Sequence, residues 1–116
     1  RAAVTDAYGR RCAFTGEKTL PALQASHIKP YAESGPHQVS NGLLLRADLH
    51  QLFDRGYITL TPDYKVVVSD RIREEFNNGK EYLALSGKPF HMVPEESSDL
   101  PDEQFVEFHN NQIYVG

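Results

Sequence analysis

Residues 24–56 read QASHIKPYAESGPHQVSNGLLLRADLHQLFDRG and hold three of the five histidines of the chain. The run ALQASHI lies between Pro21 and Pro30 and reads as a strand, because proline is tolerated at strand ends and not inside them. Residues 32–40, AESGPHQVS, are polar and broken by Gly and Pro, the signature of a loop. NGLLL is a short apolar strand. RADLHQLFDRG then reads as a short helix: Leu49, Leu52 and Phe53 form one apolar stripe, and Asp48 sits in the first turn where the helix dipole favours an anion. Gly56 suits its C-terminal stop. The order is strand, loop, strand, helix, a compact ββα unit.

Outward from this unit, RAAVTDAYG reads as a helix ending near Gly9, and CAFTGE as a tight turn. On the other side, YITLTPDYKVVVS has two β-rich runs around TPDY and predicts a hairpin. DRIREEFNNG predicts a helix with Asp70 as N-cap and Gly79 as stop, and PDEQFVEFHNN another with Pro101 near its start. The expectation is one α+β domain over residues 1–116 with its core motif at 23–56, excised from a longer protein, since the chain opens on Arg1.

Composition narrows the class. Hydrophobic content of 40% and charged content of 24% are those of an ordinary globular chain, and no apolar run has the roughly 18 residues of a membrane helix. The single Cys12 excludes an internal disulfide and a zinc ribbon built from two cysteine pairs, which makes a reducing cytoplasm the expected setting. The net charge of −4 is unevenly spread: residues 1–60 carry seven Lys/Arg against five Asp/Glu, and residues 61–116 carry five against eleven. The basic half contains the histidine cluster. Such a balance argues against tight unspecific binding to DNA by this domain alone, because that affinity comes from neutralising phosphates.

His50 and Asp54 are four residues apart and share one helix face, a natural half-site for a divalent cation; alone, such a pair reads more readily as a His/Asp hydrogen bond on a polar helix face. His27 is a histidine on an apolar strand, able to take a proton from water if its second nitrogen is oriented. Asn41 offers both a donor and an acceptor for that purpose, although Asn beside Gly is also a common turn. His37 reads as an exposed loop residue, and His91 and His109 as structural.

His27, then Asn41 fourteen residues on, then His50 nine further, together with SHIKPY, NGLLL and DLHQLFDRGYITL, resembles the His-Asn-His (HNH) nucleases of the ββα-metal fold. The closing DEQFVEFHNNQIYV resembles the last helix of a subfamily found in bacterial restriction and defence proteins. The resemblance implies an α+β ββα-metal unit with flanking helices and an additional β-hairpin. It implies a metal-dependent DNA endonuclease hydrolysing phosphodiester bonds, within a modification-dependent restriction enzyme or another anti-phage defence enzyme. His27 takes the general-base position, Asn41 the position that buttresses the base or the metal loop, and His50 the metal-ligand position. Asp54 stands where colicin-type members carry a further histidine ligand. The cofactor implied is Mg, Mn, Ni or Zn as a divalent cation, and the partners are DNA, a recognition or sensor domain in the same polypeptide, and a second copy in a homodimer.

Lys29, Arg46 and Arg55 are candidate phosphate contacts by their position near the site, although each alone reads as an ordinary surface charge. Two positions depart from the family pattern. Ser26 stands where many members have an Asp or His ligand, which implies a weakly held or water-bridged metal. Cys12 lacks a CxxC partner, which implies no structural zinc and a small buried residue in a packed turn. The alternative function is an HNH-like module that lost catalysis and only binds nucleic acid or protein.

Overall fold

The computed structural model describes residues 2–116, so Arg1, which begins the first expected helix, lies outside the described residues. The first helix, α1, spans Ala2–Ala7. It is followed by Tyr8, fully buried, whose hydroxyl donates to the Gly42 carbonyl at 3.0 Å and so ties the start of the chain to the motif. Burial raises the Tyr8 phenol well above its ordinary range, so it remains a donor.

Strands β1 (Leu23–His27) and β2 (Gly42–Arg46) pair antiparallel, with Leu23 opposite Arg46 and His27 opposite Gly42. The far edge of β2 is also covered: the Ala13 amide donates to the Leu44 carbonyl at 2.7 Å. Ala13 belongs to the CAFTGE turn, which closes through Cys12 N–H to the Glu17 carbonyl (2.9 Å) and Gly16 N–H to the Cys12 carbonyl (2.8 Å), with Cys12 fully buried as expected. Leu43, Leu44 and Leu45 are consequently all buried, which explains a continuous apolar run where an exposed strand would alternate.

Helix α2 (Ala47–Asp54) follows β2 without a loop and packs on β1 and β2. Leu49 and Phe53 are fully buried and Leu52 partly so, which is the stripe read from the sequence. Gly56 takes φ +83°, and a side chain there would overlap the Ile113 carbonyl; both conditions select glycine.

The expected hairpin forms as β3 (Ile58–Leu60) and β4 (Val66–Val68), antiparallel with Ile58 opposite Val68. Helix α3 (Arg71–Phe76) differs from expectation at both ends. Asp70 makes no capping bond; it has helical dihedrals and its carboxylate accepts from Arg73, while Ser69 Oγ accepts from the Arg71 amide at 3.1 Å. The helix stops at left-handed Asn77, and Gly79 instead precedes a further short helix, α4 (Lys80–Leu83). Helix α5 (Glu103–Phe108) is capped by Asp102, which accepts from the Gln104 amide at 2.8 Å, and it runs on into a π-helical turn, His109–Ile113, rather than continuing as α-helix. The architecture is thus α+β, with a ββα unit, flanking helices and an additional hairpin. Among the described residues no helix is long and apolar enough to cross a membrane.

Candidate active site

The end of β1 and one face of α2 meet at a cleft of about 360 Å³ lined by His27, Tyr31, His50, Asp54 and His109, among others. On the other side of His27, a smaller cavity of about 190 Å³ is lined by Ser26, His37 and Asn41. His27 therefore borders both.

Asn41 is 1% exposed and explains the shape of the segment between the strands. Its Oδ1 accepts from the Lys29 amide at 2.8 Å, and its Nδ2 donates to the carbonyls of Lys29 and Pro36, both at 3.0 Å. One buried amide thus satisfies three backbone groups of a loop that has no sheet partner for them. Gly35 completes the fold of this loop, because a side chain there would overlap the Lys29 carbonyl. Of the two roles the motif suggests for Asn41, these bonds describe support of the loop.

On α2 the His50 Nε2 and Asp54 Oδ2 lie 3.0 Å apart, as the four-residue spacing predicts. The other ring nitrogen, Nδ1, is 2.7 Å from Gln24 Oε1 on β1. A carboxamide oxygen is an acceptor only, so Nδ1 carries a proton and Nε2 faces Asp54. Two groups able to give an electron pair meet there, and a proton or a cation would lie between them. This is the donor chemistry of a divalent metal half-site, with a partner on the second nitrogen fixing the ring. Among the described residues no group of three or more His, Cys, Asp or Glu side chains gathers to hold a metal. His50 and Asp54 are therefore the side chains that would hold a divalent cation, which would supply positive charge at the cleft. Ser26 does not extend the pair: it is 3% exposed and its hydroxyl points to the His27 carbonyl at 3.4 Å.

The expected phosphate-binding cations lie outside the lining of the cleft. Arg46 pairs with Asp48 through Nε (3.1 Å) and Nη2 (2.8 Å), and the Tyr82 hydroxyl also donates to Asp48 at 2.9 Å. These bonds, the arginine first, hold the Asp48 carboxyl down at about 2. Lys29 Nζ lies 4.8 Å from the centre of the Phe108 ring, and Arg55 is exposed at the end of α2.

For three residues the partners, though not the exposure of His37 or the structural role of His109, were not legible from the sequence. Gln24 orients His50 from 26 residues away. His37, expected to be a solvent-exposed loop residue, has its Nδ1 at 3.2 Å from His27 Nε2. His109, expected to be structural, is 1% exposed and holds the end of α2 from the closing π turn: its Nε2 donates to the Phe53 carbonyl at 3.0 Å and its Nδ1 is 2.7 Å from Thr59 Oγ1. Burial lowers it to about 4, so it is a neutral scaffold and not a proton carrier at neutral pH.

A strand histidine and a helical His/Asp pair thus line one small cleft. Residues 12–61 match the family model of HNH endonucleases. The solved structure of a modification-dependent TagI restriction endonuclease superposes on 96% of this chain with a TM-score of 0.63 and 23% sequence identity, a likeness that concerns the fold. The chain spans 36% of the length of that protein. No curated protein matches. Residues 12–61 are thus similar to HNH endonucleases, and the likeness over nearly the whole chain is one of fold.

Proposed function

We propose that this domain hydrolyses DNA with a divalent cation held by His50 and Asp54 and with His27 as general base, as the nuclease part of a modification-dependent restriction enzyme or another anti-phage defence enzyme. The observation that carries the reading is the convergence of His27, His50 and Asp54 on one cleft. A bound cation would supply positive charge to a phosphate oxygen and to the leaving 3′ oxygen. His27 takes the proton of the attacking water, Gln24 fixes the ring of His50, and Asn41 holds the loop that follows His27. Lys29, Arg46 and Arg55, outside the lining of the cleft, would meet phosphates further along the DNA. The likeness in fold to the TagI enzyme supports the restriction setting, and the 36% coverage of that chain supports a separate recognition or sensor domain in the same polypeptide. Cutting of both strands would come from two copies acting as a homodimer. The free, buried Cys12 accords with a cytoplasmic setting.

The test is incubation of the chain with supercoiled plasmid and Mg²⁺, Mn²⁺, Ni²⁺ or Zn²⁺, with and without EDTA. Nicking or linearisation that depends on the cation and is abolished by EDTA is the expected result. Cleavage undiminished by EDTA overturns the metal assignment.

A further inference from the structure

We propose that His37 is a positioning residue for the general base, so that the base is a hydrogen-bonded histidine pair, His27 and His37. This rests on the reading of His27 as the base. The two rings meet edge to face, with centroids 4.9 Å apart, planes at 73°, and His27 Nε2 at 3.2 Å from His37 Nδ1. His37 is exposed, yet its ring does not stand alone: the Tyr31 ring lies 5.1 Å from it on a 33° tilt. The backbone beneath is fixed as well, since Asn41 donates to the carbonyl of Pro36, the residue before His37.

The chemistry gives this contact a direction. In hydrolysis the oxygen of water forms a bond to phosphorus, and its proton passes to His27. The bond from phosphorus to the 3′ oxygen breaks, and the electron pair leaves on that oxygen. Once protonated, His27 bears N–H groups on both ring nitrogens, so its Nε2 can only donate. His37 Nδ1 is then the acceptor, as it must also be beforehand, with His27 Nε2 donating and His27 Nδ1 the atom that takes the proton of water. The bond becomes charge-assisted as His27 gains its proton, so it stabilises the transition state more than the ground state. His37 borders the smaller cavity and not the cleft with His50 and Asp54, which separates this role from metal binding.

The experiment compares the wild-type chain with His27→Ala, His37→Ala and His37→Asn on supercoiled plasmid, using a cation that supports wild-type cleavage. Loss of a hydrogen bond to a charged group corresponds to a fall of about 10- to 100-fold in rate, expected for His37→Ala in kcat with KM for the plasmid unchanged. His37→Asn, whose amide oxygen restores an acceptor, should regain part of that loss. In the metal-free chain, the ¹⁵N resonance of His27 Nε2 should move on His37→Ala while the fold, followed by circular dichroism, stays the same. A wild-type kcat in His37→Ala, a loss confined to KM, or an unmoved His27 resonance overturns the proposal. Full activity of His27→Ala instead removes the base itself, and the two failures are told apart by which variant stays active.

Discussion

The His109 ring lies flat on the Phe53 ring, with centroids 3.8 Å apart and planes 13° apart, and it donates to the carbonyl of the same residue. This contact fastens the closing π turn to the last turn of α2, one residue before Asp54. It also makes stability depend on pH. A histidine in the unfolded chain takes its proton near 6.5, whereas folded His109 is pushed down to about 4 by burial. Between those values the unfolded chain binds more protons, so stability is complete above about 6.5 and is lost as pH falls through about 4, by on the order of 3 kcal/mol. Melting temperatures of the wild type and His109→Gln between pH 4 and 7 check this. The variant should be less stable at pH 7 and lose less on acidification.

Replacing the base should stop chemistry without unfolding the chain. His27 is only partly buried at the end of β1 and its neighbours Ser26 and Ile28 carry the packing. We predict a rate loss on the order of 10²–10⁴ for His27→Ala, with an unchanged melting temperature. A folded variant that cuts plasmid near the wild-type rate would place the base elsewhere.

Titration calorimetry with Mn²⁺ should separate ligands from their support. His50→Ala and Asp54→Ala are each expected to abolish most of the binding. Gln24→Leu, which removes only the partner of His50 Nδ1, should weaken it by about 10- to 100-fold. Equal affinity in Gln24→Leu and the wild type would show that the ring needs no orienting partner.

Asn41→Ala leaves the Lys29 amide and two carbonyls without their bonds in a buried setting. At about 1 kcal/mol for each bond, a loss of about 3 kcal/mol is expected in urea unfolding. Cleavage should fall with it, because the loop carrying His37 loses its anchor.

Binding to DNA should be weak and fall further as salt is raised, because the net charge of −4 leaves few cations to neutralise phosphates and Arg46 already pairs with Asp48. Cleavage by the 116-residue chain should show little sequence preference. Sharp site preference that persists at high salt would place target recognition within this chain.

The sequence by itself determined the ββα unit and the His/Asp pair. Both follow from short-range periodicity: strands flanked by prolines, an apolar stripe on one helix, and a four-residue spacing that cannot help but bring His50 and Asp54 together. It also marked Asn41 and His27 through their order along the chain. Local rules misread Asp70, because a side chain that is free to cap was drawn instead to Arg73, and Ser69 took its place. Tertiary structure alone decided the rest. Gln24 meets His50 only because β1 crosses α2, His109 reaches Phe53 across 56 residues, and His37 turns back to His27 only because Asn41 folds the loop beneath it. A side chain in a polar loop carries no periodic signal, so its partner is fixed by the path of the backbone and not by its neighbours in sequence.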